Sequence, residues 1–139
     1  MATRKPSRRA ESATNHLGTV LEFLRVLWEV DHGLMRASKR MQRDLGVTGP
    51  QRFAIRILGH REGIGPGELA RIMHLHPGTV TGVVRRLERL RLVRRVPDPV
   101  DGRRQRLQLT PAGQRLDRLR NGTIETSVRA ALSRQPPAR

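Results

Sequence analysis

The sequence contains no cysteine and only three aromatic residues, Phe23, Trp28 and Phe53. Without cysteine there is no disulfide framework, no thiolate metal site, and no thiol nucleophile or redox sensor. Three aromatics are too few for the stacking platforms that hold RNA and single strands. Acids are scarce: 12 Asp and Glu stand against 28 Lys and Arg, a formal charge of +16. Lysine is scarcer still, for only Lys5 and Lys39 are lysines and the other 26 of these cations are arginine. No apolar run approaches the ~18 residues of a membrane span, and residues 1–15 lack the apolar stretch of a signal peptide. A soluble, cytoplasmic protein without a membrane partner is therefore expected. At 139 residues the chain has the size of a single domain.

What is abundant is arginine, whose planar fork suits phosphates and guanine edges. A genome rich in G and C would raise arginine content as well. Residues 1–15 are polar and basic and read as a disordered arm. Over residues 16–46, Leu17, Val20, Leu21, Leu24, Leu27, Trp28, Leu34, Met35, Met41 and Leu45 recur mainly in steps of three and four, the period of one helical face. Gly46 stands at the C-cap. So long a helix in so small a chain makes sense packed on a partner helix.

Residues 47–110 break into shorter elements. Thr48 is the expected N-cap of a helix that buries Phe53, Ala54, Ile57 and Leu58. The loop Gly63–Gly67 precedes a third helix, Gly67 to about His74, burying Leu69, Ala70 and Ile72 or Met73. Pro77 opens a fourth that runs to Leu90 or Arg91. The period then changes to two. Residues 92–96 and 104–109 read as strands, joined by turn chemistry at 97–103. Thr110 and Pro111 start a last helix, 111–134, burying Leu116, Leu119, Ile124, Val128 and Leu132, with Asn121-Gly122 expected to weaken or kink it. Residues 135–139 form a tail.

Two short helices joined by a tight turn, followed by a hairpin, are the order of a winged helix-turn-helix, in which the second helix enters the major groove of DNA. The fold class is thus mostly α, with a two-stranded β-hairpin wing. On the Pro77–Arg91 helix the polar positions include His76 at its start, then Gly78, Thr79, Thr81, Gly82, Arg85, Arg86 and Arg89. Small residues at the leading end permit close approach to base edges; the arginines can hold phosphates. Residues 85–106 hold nine arginines and three acids, +6 in 22 residues. A phosphate-facing surface accounts for that density, and Arg103 and Arg104 at the hairpin tip could reach a minor groove.

Gly67-Glu68-Leu69-Ala70, Thr79-Val80-Thr81, Arg86-Leu87-Glu88, Leu92-Val93-Arg94-Arg95, Asp98-Pro99, Asp101, Arg103 and Leu109-Thr110-Pro111-Ala112-Gly113 resemble, in order and spacing, the MarR (multiple antibiotic resistance regulator) family. The resemblance is close over residues 48–116. It implies a homodimeric transcription regulator, with dimerisation helices at both chain ends and two recognition helices on a pseudo-palindromic operator in double-stranded DNA. It also implies a repressor relieved by a small aromatic or anionic ligand. Thr79, Thr81 and Gly82 then fall at DNA-contacting positions, Arg86 at a common basic one, and Asp98, Asp101 and Arg103 on the wing motif. Three departures stand out. Val100 replaces a usual wing arginine, and His76 replaces a Ser or Thr cap, so a weaker cap is expected. With the chain ending near residue 139, the first helix is expected to carry more of the dimer interface.

The remaining residues point to little chemistry of their own. His74 and His76 lack further ligands at metal spacing, so no metal or cofactor is expected. Asp98 and Asp101 fit ion pairs to Arg103 or Arg104 better than acid–base catalysis. Trp28 fits a core, a dimer interface or a ligand cleft. No catalytic triad or phosphate-cradling loop follows a strand, so an enzyme is not expected. A non-specific architectural DNA-binding protein is the alternative that the charge alone would fit, and a ligand sensor acting on a protein partner is a third.

Overall fold

The computed structural model describes residues 18–133. The basic arm 1–15, His16, Leu17, the side chain of Leu132 and the tail 135–139 lie outside the described residues. The chain divides into two units, one up to Leu34 and one from Met35 onward.

A single helix, α1 (Thr19–Leu45), runs from the first unit into the second. Its first part carries a ladder of charges in which Arg25 bridges Glu22 at 3.0 Å and Glu29 at 2.7 Å. The apolar face foreseen there is present but exposed: Val20, Leu21, Leu27 and Trp28 all stand open to solvent.

The second unit is a helical lobe closed by a hairpin. Helix α2 (Gly49–His60) begins with a reciprocal cap, in which Thr48 accepts the Gln51 amide and the Gln51 side chain accepts the Thr48 amide. Its inner stripe is Ala54, Ile55 and Leu58, with Arg52 buried beside them. This corrects the expected stripe, because Phe53 is about half exposed and a charged residue takes the interior place. The side of α2 bearing Arg52 faces the end of the later helix α5 (Pro111–Arg118), where backbone carbonyls need donors.

Helix α3 (Pro66–Met73) starts one residue earlier than foreseen and ends in a left-handed residue, His74, at φ 52°. Helix α4 (Pro77–Arg89) follows after that tight turn. Its N-cap is stronger than expected, since the His76 ring supplies Nδ1 as acceptor for the Gly78 amide at 3.1 Å. Val80, Val84 and Leu87 on its inner face are fully buried, and the helix stops two residues short of Arg91, which adopts φ 57°.

Strands β1 (Val93–Pro97) and β2 (Gln105–Leu109) pair antiparallel, with Val93 opposite Leu109 and Pro97 opposite Gln105. The Leu107 amide also donates to the Ile64 carbonyl at 2.9 Å, which ties the hairpin to the loop before α3. Thr110 caps α5 as foreseen, accepting the Gly113 amide at 3.1 Å. A Cβ on Gly113 would lie 2.1 Å from the Leu92 carbonyl oxygen, so only glycine lets α5 lie against the start of β1. The single helix expected over 111–134 is instead two, α5 and α6 (Ile124–Ser133). The chain leaves helical geometry at Leu119, and Gly122 at φ 72° turns it back. Leu119 and Val128, expected in the core, are exposed. Among the described residues no helix is long and apolar enough to cross a membrane.

Candidate nucleic-acid interface

Burial of Val80, Val84 and Leu87 fixes which face of α4 points outward. Gly78, Thr79, Gly82, Arg85, Arg86 and Arg89 are exposed on it, and Thr81 is half-buried. A Cβ added at Gly82 would meet no atom within 4 Å, so the lobe itself does not need glycine there. Within the helix, Gly costs roughly 0.5–1 kcal/mol relative to Ala. The leading end of α4 is therefore a bare ridge followed by three arginines.

The arginines of residues 85–106 divide by what they hold. Arg95 reaches back from β1 to Glu88 of α4 at 2.9 Å, bracing the hairpin on the helix. Arg94 donates to Gln108 across the strands at 3.1 Å, and Arg106 donates to Asp98 at 2.7 Å. Arg104 lies 3.7 Å from Asp101, a loose and exposed pair. Arg85, Arg86, Arg89, Arg91 and Arg103 make no side-chain hydrogen bond or ion pair among the described residues. They are the cations left for an outside anion.

The wing tip is organised by Asp98. Its Oδ1 accepts the amides of Val100 and Asp101 at 2.8 and 3.1 Å, and its Oδ2 accepts Arg106. Asp101 Oδ1 in turn accepts the Arg103 amide at 3.1 Å. Asp98 thus pairs with Arg106 and not with Arg103 or Arg104, as the spacing had led us to expect, while Asp101 does lie near Arg104. The hairpin register runs Asp98 opposite Arg104, whose carbonyl accepts the Asp98 amide at 2.9 Å, and the Asp98 side chain instead takes the Arg106 guanidinium diagonally, two residues further along β2.

The Arg106 hydrogen bond, followed by the two amides, holds the Asp98 carboxyl down to about 2. A depressed carboxyl contributes stability above its ordinary range and loses it as pH falls through the lowered value. The wing turn should therefore persist through mild acid and loosen only as pH approaches 2. In an NMR titration the Val100 and Asp101 amide shifts should move with a midpoint near that value, and Asp98→Asn should show the loosened shifts at neutral pH. A midpoint in the ordinary carboxylate range would contradict the assignment.

Residues 45–104 match the sequence profile of the MarR family. A helix-turn-helix-type transcriptional regulator of Bacillus subtilis, YsmB, is 36% identical over 70 residues, 50% of this chain and 48% of that protein. The chain thus spans about half the length of that curated relative. Over that stretch the chain is similar to the MarR family.

Solved structures show the same fold over a larger part of the chain. The Staphylococcus aureus MepR–DNA complex superposes with a TM-score of 0.73 at 20% identity, over 83% of this chain and 85% of that one. A probable transcriptional regulator from Pseudomonas aeruginosa is 27% identical with a TM-score of 0.66, over 79% of this chain and 84% of the other. The winged helix-turn-helix and hairpin are those of MarR-family structures. Val100, at the place of the usual wing arginine, projects almost fully into solvent. Among the described residues no group of three His, Cys, Asp or Glu could hold a metal.

Trp28, offered as a ligand residue, is exposed on the first part of α1. In the second unit a cavity of about 250 Å³ opens between α2 and α3, lined by Phe53, Ile57 and Ile72 with Arg56, His60 and Arg61. Sequence reasoning placed none of these residues in a cleft, since it had put Phe53 in the core.

Proposed function

We propose that this protein is a MarR-type, homodimeric, sequence-specific regulator that binds double-stranded DNA and acts as a repressor. The observation that carries the reading is the outer face of α4: a side-chain-poor leading end, then Arg85, Arg86 and Arg89 with no partner among the described residues. That is the arrangement a helix needs to enter a major groove, reading with its leading residues and holding phosphates behind them. His76, Gly78, Thr79, Thr81 and Gly82 would read, and Arg103 and Arg104 of the wing would reach the flanking groove. Asp98 and Asp101 would serve by shaping the wing. The MepR–DNA complex, a structure with the same fold, supports a DNA partner.

Dimerisation is supported by the exposed apolar face of α1, where Phe23 is 66% and Trp28 62% exposed. Contiguous apolar surface of this kind marks an interaction site. The cavity beside Phe53, apolar with a basic rim, would suit a small aromatic or anionic ligand that relieves repression.

Selection from random duplexes should enrich a two-fold symmetric motif whose half-sites lie about one helical turn, 10–10.5 base pairs, apart. Binding without an enriched motif would favour the architectural alternative. A monomer at micromolar concentration, with and without DNA, would remove the dimer.

A further inference from the structure

We propose that Thr81 reads a thymine through its methyl group; this rests on the reading of α4 as the recognition helix. The Thr81 hydroxyl donates to the Pro77 carbonyl one turn back at 3.0 Å. That bond uses its only proton and holds the oxygen against the helix backbone. What Thr81 can offer outward is the Cγ methyl and no donor. Donor-based readings of adenine N7 or of guanine O6 and N7 are thereby closed to it, and apolar contact with the C5-methyl of thymine is open.

The surroundings make the methyl the relevant contact. Thr81 lies in the leading half of α4, where a recognition helix meets base edges. Gly78, three residues earlier on the same face, and Gly82, next to it, carry no side chain that could hold the helix away. The His76 ring is turned inward to cap the Gly78 amide at 3.1 Å, so its Nδ1 is not available to a base either. With glycine at 78 and 82, no side chain from either position stands between the partly exposed Thr81 and an approaching groove floor. Thr79, whose hydroxyl has no partner among the described residues, keeps donor and acceptor and would be the more permissive neighbour.

The test uses the full-length protein and the motif obtained by selection. Each thymine of the half-site is replaced in turn by deoxyuridine, which removes the C5-methyl and changes nothing else. One symmetric pair of thymines should stand out, with about a fourfold loss of affinity per half-site, the size expected for uncovering one methyl. Thr81→Ser keeps the hydroxyl and deletes the methyl, and should bind the thymine and uracil duplexes equally. Thr81→Val keeps a methyl and deletes the hydroxyl, and should retain the preference. Thermal melts of both variants confirm that the helix is intact. A flat uracil scan, a serine variant as sensitive as the parent, or an insensitive valine variant would each overturn the thymine contact while leaving DNA binding in place. A selection that enriches no motif overturns the parent reading and this contact together.

Discussion

Arg52→Ala is expected to cost about 3–5 kcal/mol of folding stability, the range for breaking a buried charge pair by removing one partner. The side chain is 1% exposed and holds two elements at once. It donates to the carbonyls of Leu116 and Asp117 in the last turn of α5, to that of Leu119 just beyond it, and to the carboxylate of Glu125 in the first turn of α6. Those carbonyls have lost their helical partners because the helix breaks at Leu119, and the guanidinium supplies the donors that the next turn would have given. Alanine would take the buried guanidinium from the Leu116 carbonyl and from the Glu125 carboxylate, while Arg120, which also reaches the Asp117 and Leu119 carbonyls at 2.7 and 3.1 Å, stays in place. Arg56 cannot substitute, since it is already engaged with Asp117 at 2.6 Å and lies 3.6 Å from Glu125.

Two further measurements separate the parts of that loss. In urea unfolding, Arg52→Leu combined with Glu125→Leu should recover only a fraction, because it removes the orphaned charge and still leaves the Leu116 carbonyl without its guanidinium donor. Full recovery would mean that the ion pair alone matters. Burial on its own would push the Glu125 carboxyl up, but the Arg52 hydrogen bonds and the charges of both arginines outweigh it and hold the group below its ordinary value. Its contribution is therefore complete above the ordinary carboxylate range and fades as pH falls through the lowered value. The parent should lose stability in that window, and Glu125→Gln should not.

Arg52 also shows where sequence reading stopped. Periodicity along α2 identifies a buried stripe, yet it cannot say that the stripe is shared by two neighbours of different chemistry. The apolar side of the stripe meets α3 and α4, and Ala54 and Leu58 were placed correctly from it. The other side meets carbonyls more than sixty residues away in sequence, a partner that no local pattern announces, so Arg52 was overlooked and Phe53 was sent inward. Local signals fared better. Thr48, Thr110 with Pro111, and Pro77 each carry a cap or a first-turn signal, and each marks a helix start in the structure. Asn121-Gly122 announced a weakness, and its outcome, a full break, depended on Arg52 being there to receive the freed carbonyls. At the interface, α4 was legible because its inner valines fix its outer face. The sorting of arginines into braces and free cations was not, because it depends on the hairpin register and on the reach of Glu88.

That sorting makes the salt dependence of DNA binding specific to residues. Log affinity falls with log salt by about 0.9 for each phosphate neutralised on duplex DNA. If about four of the unpaired arginines of each protomer meet phosphates, a dimer makes about eight contacts and the slope is near −7, a fall of roughly 10⁴ in affinity between 50 and 200 mM salt. The braced arginines should not enter this count. Arg86→Ala should therefore reduce the slope by about two units in the dimer, one per protomer, and weaken all duplexes alike. Arg106→Gln should leave the slope nearly unchanged, because its charge is already spent on Asp98 at 2.7 Å, although it should loosen the wing. Glu88→Gln gives the opposite sign: it releases Arg95, which Glu88 holds at 2.9 Å, and should steepen the slope if the freed side chain reaches a phosphate. A flat salt response in the parent would end the phosphate mechanism. Equal loss of slope in Arg86→Ala and Arg106→Gln would show that total charge governs binding, and not the arrangement of charge that the hairpin and α4 create.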